Sequence, residues 1–145
     1  MSNARNIASI AGEDVLNASN EIVPVYACRA WVNFDGALAM SVGSSYGPDA
    51  PPADFSSPNP IRDSGNVSSL YDDGTGIYTV NFTTAMPDAN CAGLVSANVN
   101  NSNTDVRRTQ RLVSINQNQI KVCTGINQNS DSKEDFAFVT IAVFR

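Results

Sequence analysis

The strongest constraint on the fold is a period-two alternation of apolar and polar residues, in short runs separated by turn-forming residues. Over residues 77–83, Tyr78, Val80 and Phe82 alternate with Thr79, Asn81 and Thr83. Successive side chains of a strand point to opposite faces, so such a run predicts a half-buried β-strand. Asp72-Asp73-Gly74-Thr75-Gly76 precedes it, and an Asp-Gly between alternating runs signals a hairpin. Residues 61–64 and 66–71 read as strands before that turn. After it, 91–99 reads as a strand beyond the Met86–Asn90 turn. Residues 106–115 and 119–124 read as a hairpin across Asn116-Gln117-Asn118, with polar connections at 100–105 and 125–135. The first strand, 22–34, puts Tyr26, Cys28, Ala30, Val32 and Phe34 on one face and Val25, Ala27, Arg29, Trp31 and Asn33 on the other. The expectation is an all-β chain, a compact antiparallel, jelly-roll-like β-sandwich over residues 21–145.

The last run, 136–145, is apolar on both faces. Phe136, Phe138, Thr140, Ala142 and Phe144 face one way; Ala137, Val139, Ile141 and Val143 face the other. A strand of this kind is covered on both sides. A sandwich core covers one side and a neighbouring subunit covers the other, unless the strand is central and buried within one chain. Phe136, Phe138, Ile141 and Phe144 are therefore candidates for core or subunit contact. Trp31, the sole tryptophan, is a candidate for the same two roles.

Two stretches depart from the strand pattern. Residues 37–60 are rich in Gly, Ser and Ala and carry Pro48, Pro51, Pro52, Pro58 and Pro60. A connection of this length in a compact domain is functional or disordered. Residues 1–20 read as a separate arm, extended or with short helical turns over 3–12 and 13–17, too short to hold as isolated helices.

Chemistry-bearing motifs are sparse. The chain has 145 residues and no histidine, which removes the commonest general base and metal ligand. Its three cysteines, Cys28, Cys91 and Cys123, lack CxxC spacing and sit in strand-like contexts, where free Cys behaves as a small core residue. The odd cysteine count and the lack of a secretory signal suit assembly in a reducing cytoplasm. No apolar run reaches bilayer-spanning length, so membrane insertion is not expected. The net charge of −5 argues against nucleic acid and anionic lipid as partners. Arg107, Arg108 and Arg111 form the one basic cluster, read as an edge-strand guard or a contact for an anionic saccharide. Asp72 and Asp73 fall in a predicted turn and point apart or to solvent, so they do not form a glycosidase pair. The oxygen-rich runs at 72–74 and 131–135 lack calcium-loop spacing. No enzyme activity, metal or cofactor is expected. Asn66-Val67-Ser68 and Asn81-Phe82-Thr83 match the glycosylation sequon only formally. The best binding candidates are loop-borne: Tyr46 and Phe55 in the proline-rich stretch, then Asn127, Gln128, Asn129 and Asp131.

Three stretches carry a family resemblance: Val25-Tyr26-Ala27-Cys28-Arg29-Ala30-Trp31-Val32-Asn33-Phe34-Asp35-Gly36, Ile61-Arg62-Asp63-Ser64-Gly65-Asn66-Val67-Ser68-Ser69, and the run from Asp73 through Asn90. They resemble the distal domain of bacteriophage tail fibre proteins, especially those of phages and prophages of aquatic bacteria. The resemblance implies a virion protein, a short tail fibre or fibre tip, built as a trimeric β-sandwich whose loops contact a host surface polysaccharide. The Ser2-Asn3-Ala4-Arg5-Asn6 opening is similar to the start of short tail fibre proteins, which implies attachment to other virion proteins through Asn3, Arg5, Ile7 and Ile10. The chain departs from the family in lacking a long shaft and in expanding its first loop. The alternative is a capsid decoration, cement or tail-assembly protein with no host ligand. A lectin-like prophage remnant is a third reading.

Overall fold

The computed structural model describes residues 15–16, 22–23, 28–48, 59–98, 108–126 and 132–145. It is all-β, with no helix among those residues: β1 (Val15–Leu16), β2 (Ile22–Val23), β3 (Cys28–Phe34), β4 (Ser45–Tyr46), β5 (Ile61–Gly65), β6 (Val67–Gly74), β7 (Ile77–Phe82), β8 (Ala92–Asn98), β9 (Arg108–Ile115), β10 (Gln119–Ile126), β11 (Ser132–Lys133) and β12 (Phe138–Phe144). No helix among the described residues is long and apolar enough to cross a membrane. The β1 and β2 strands pair with each other, so Val15 and Leu16 are extended where a helical turn was expected over 13–17.

Two antiparallel sheets build the sandwich. One runs β5-β3-β12-β8; the other runs β11-β10-β7-β6-β4, with β9 also paired to β10. The core follows from the alternation. Ala30, Val32 and Phe34 of β3 and Val139, Ile141 and Val143 of β12 face Leu70, Tyr78, Val80, Ile120 and Val122 of the opposite sheet. The gap left between Val32, Val80, Ile120 and Ile141 holds no water-sized void, so the interior is packed to density and offers no ligand cavity there.

Several expectations are corrected. Phe136 is fully buried and precedes β12, because the chain enters that strand from under the sandwich end; it does not share a face with Phe138. Ile141 is likewise core, while Trp31 lies on the outer face and is 37% exposed. Asp72 and Asp73 are not in a solvated turn: β6 runs through both, and Asp72 is only 6% exposed. Its Oδ1 accepts the Gly74 N–H at 2.8 Å, which turns the chain into the hairpin. Cys28 is exposed rather than core, and Cys91 is half-buried. The proline-rich connection contains β4, which pairs with β6 through Ser45↔Tyr71 and Tyr46↔Leu70.

Candidate functional site

The strand registers give the sandwich two unlike ends. At one end Cys28 pairs with Phe144 and Phe144 with Ala92, while Val67 pairs with Phe82 in the other sheet. The connections here are Asn66, the 116–118 turn and the nine-residue segment 83–91, each held by side-chain hydrogen bonds. Asn66 adopts φ 56°, a left-handed conformation that Asn tolerates, and its amide donates to the Arg29 and Thr84 carbonyls. Its Oδ1 accepts the Thr84 N–H at 2.7 Å, so both polar side-chain atoms of this formal sequon asparagine are engaged. Asn116 Oδ1 accepts from the Asn118 and Gln119 N–H groups. Arg145, after β12, clamps the Asp88 carboxylate through Nε at 2.9 Å and Nη2 at 2.5 Å. That pairing, with the Asn90 N–H, holds the Asp88 carboxyl below the usual carboxylate range.

At the opposite end Phe34 pairs with Val139 and Ile61, Phe138 with Asn98, and Ile126 with Arg108 and Ser132. The described residues that flank 99–107 and 127–131 therefore all lie at this end. A polar clamp closes the sandwich beneath them. Asp135 Oδ1 accepts the Tyr78 hydroxyl and the Gly76 N–H, both at 2.6 Å, while the Gly36 N–H donates to the Phe136 carbonyl at 2.9 Å. A Cβ on Gly36 would meet Tyr78 Oη at 2.4 Å, and one on Gly76 (φ +64°) would meet the Thr124 carbonyl, also at 2.4 Å. Only glycine fits at both. Burial, reinforced by the Asp135 hydrogen bond, pushes the Tyr78 phenol far above its ordinary value of 10.0.

Arg62 is the second fixed point at this end. Its guanidinium donates to Asp35 Oδ2 at 2.7 Å and to the Ala137 and Phe34 carbonyls at 2.6 and 3.0 Å, and lies 4.5 Å above the Phe138 ring. One side chain thus ties the edge strand β5 to the end of β3 and the entry of β12. On the other sheet Asp73 accepts from Lys121 Nζ at 2.9 Å and from the Thr79 hydroxyl at 2.6 Å. These carboxylates are consumed in structural contacts. Among the described residues no group of three His, Cys, Asp or Glu side chains is placed to hold a metal ion.

Of the sequence candidates, Tyr46 lies in β4 opposite Leu70 in the middle of β6, half-buried, with its hydroxyl oxygen accepting the Ser41 N–H at 2.9 Å. Phe55, Asn127, Asn129 and Asp131, like the arm residues Asn3, Arg5, Ile7 and Ile10, lie outside the described residues. Of the contact candidates, Phe138 (40% exposed), half-buried Phe144 and Trp31 are outward-facing on the four-stranded sheet. Leu94, Leu112 and Val113 are also exposed, along the β8–β9 side. Arg108 and Arg111 lie on β9, which among the described residues pairs with β10 alone. Sequence reasoning missed Arg62, Tyr78 and Asp135 as fixed points. A phenol on the core face of β7 was the available signal, since a buried Tyr hydroxyl requires a partner. Arg62 offered no comparable signal. No protein-family model matches the chain, and neither a curated protein nor a solved structure does.

Proposed function

We propose that the chain is a bacteriophage virion protein, a short tail fibre or fibre-tip module, that acts by binding a host surface polysaccharide and has no catalytic role. The separation of the two ends carries this reading. The chain enters β3 at Cys28, beside Arg145, and the strands that flank 99–107 and 127–131 meet at the end away from it. Such polarity suits a module held to a particle through residues 1–20 and presenting loops outward. Tyr46 and the connection through 127–131 are then the ligand-facing groups. Three copies in a homotrimer repeat a weak contact, which raises avidity by about 10²–10⁴ without new contact chemistry. The apolar β8–β9 side, with Leu94 62% exposed, suits the contact between copies.

The test is competition for adsorption. Purified protein is expected to block phage adsorption to host cells, and Tyr46→Ala to block it less well at equal folded concentration. Undiminished adsorption at saturating protein would overturn the reading in favour of a decoration, cement or tail-assembly role.

A further inference from the structure

We propose that the outer face of the four-stranded sheet carries a separate binding site for a neutral sugar ring, with the Trp31 indole as platform and Asn33, Asp63 and Thr140 as its polar edge. This site is distinct from the loop end and stands independently of the reading above. It begins with the way Trp31 is held. Trp31 pairs with Gly65 on one side and Ala142 on the other. A Cβ on Gly65 would lie 2.4 Å from the indole Nε1 and 2.9 Å from Cδ1, so the ring rests on the glycine backbone. With a glycine and an alanine as flanking partners, no bulky side chain stands beside it. The indole is packed on the protein along this flank, and Trp31 as a whole is 37% exposed.

The next row along the sheet is polar throughout. Asp63, Asn33, Thr140 and Ser96 are cross-strand neighbours in register. Two residues along a strand is about 7 Å, close to the span of one pyranose. Asn33 Nδ2 donates to Thr140 Oγ1 at 2.8 Å, which fixes both groups and leaves the Thr140 hydroxyl its own proton to donate. Asp63 Oδ1 accepts the Ser64 N–H at 2.8 Å, and no ion pair involves it among the described residues. An aromatic face beside a row of hydroxyl, amide and carboxylate groups matches a pyranose, whose C–H face is apolar and whose rim is hydroxylated.

The charge pattern selects among occupants. Asp63 repels uronate, sulfate and phosphate, while Arg62 is engaged by Asp35 and Asn33 Oδ1, and Arg29 Nε donates to the Arg145 carbonyl at 3.5 Å. A protein partner covering this face would bury the Asp63 carboxylate and its polar row, whereas interface cores are depleted of charge. A neutral hexose or N-acetylhexosamine leaves that carboxylate at the wet rim as an acceptor.

The single tryptophan makes the test site-specific. The full chain is applied to an array of neutral and anionic oligosaccharides, and its fluorescence is titrated with soluble forms of those retained. Saturable change in Trp31 emission is expected with neutral sugars, and acrylamide is expected to quench the free protein freely. Trp31→Ala is expected to weaken retention about tenfold or more, as losing one stacked ring does. Gly65→Ala, which displaces the ring without removing it, should weaken retention similarly while leaving the circular dichroism spectrum unchanged. Tyr46→Ala should leave this binding intact, which separates its failure from failure of the loop-end reading. Retention of anionic glycans only, retention unaffected by Trp31→Ala, or no retention at all would overturn the proposal. So would a Trp31 shielded from acrylamide in a multi-chain species that Trp31→Ala dissociates, which would assign the face to contact between copies.

Discussion

Arg62 illustrates how a single side chain stabilises this sandwich without belonging to its core. Its donors reach the carbonyls of Phe34, the last residue of β3, and Ala137, the residue before β12. Charge-assisted hydrogen bonds of this kind contribute more than neutral ones, so Arg62→Ala should lower unfolding free energy by about 2 kcal/mol. Arg62→Lys should recover less than half, because an ammonium lacks the planar fork. Urea titration checks both, and an unchanged midpoint for Arg62→Ala would contradict the role. Arg145 makes the comparable contact at the other end. It holds Asp88 in the charged form, so that contribution is present above pH 3.8, the ordinary carboxyl value, and is lost as pH falls through the lower folded value. Asp88 lies at the surface, so the readout is its own carbon NMR titration. Its midpoint should fall below 3.8 in the native chain and return to the ordinary range in Arg145→Gln.

At the scale of elements, the clamp beneath the loop end links β7, β10 and β12. Tyr78→Phe would leave Asp135 one donor short under a packed sheet, at a cost of about 1–3 kcal/mol. The phenol's folded pKa is raised, so its contribution is complete below pH 10.0 and is lost as pH rises beyond that toward the folded value. Tyr78 should remain un-ionised above pH 10.0 in an ultraviolet titration. Gly76→Ala would combine a left-handed backbone with a Cβ pressed on the Thr124 carbonyl, so it should cost more than Tyr78→Phe in the same urea assay. The elements themselves were largely legible in the sequence. The hairpins around Gly74 and across Asn116–Asn118 and the alternation in β3, β7 and β12 all follow from local chemistry. Alternation divides a strand into two faces but does not say how far out the second face lies, so Trp31 stayed undecided between core and contact. The Asp72 burial and the early burial of Phe136 were not legible either. Both depend on which chain segments meet at the sandwich end, a property of topology rather than of any window of sequence. The candidate site was legible only as residue types: Tyr46 was singled out, whereas the Trp31 platform depends on Gly65, thirty-four positions away in the chain, which pairing alone brings beneath it.

The described residues combine a densely packed core with an aromatic and polar outer face on the four-stranded sheet. The strands that flank 99–107 and 127–131 meet at one end. Side chains blunt the exposed edges. Asn59 and Asp63 side chains cap the Ile61 and Ser64 N–H groups near and on the edge strand β5, and β9 carries a bulge with arginines. If three copies assemble, sedimentation should give the mass of three chains, and Leu94→Asp should reduce it to one; a single-chain mass for the native protein would contradict the trimer. The most direct test of the central claim is gold-labelled antibody against this chain, imaged on intact phage particles. The account predicts label at the tail, on fibres or fibre tips. Label distributed over the head would contradict it and make the chain a decoration or cement protein.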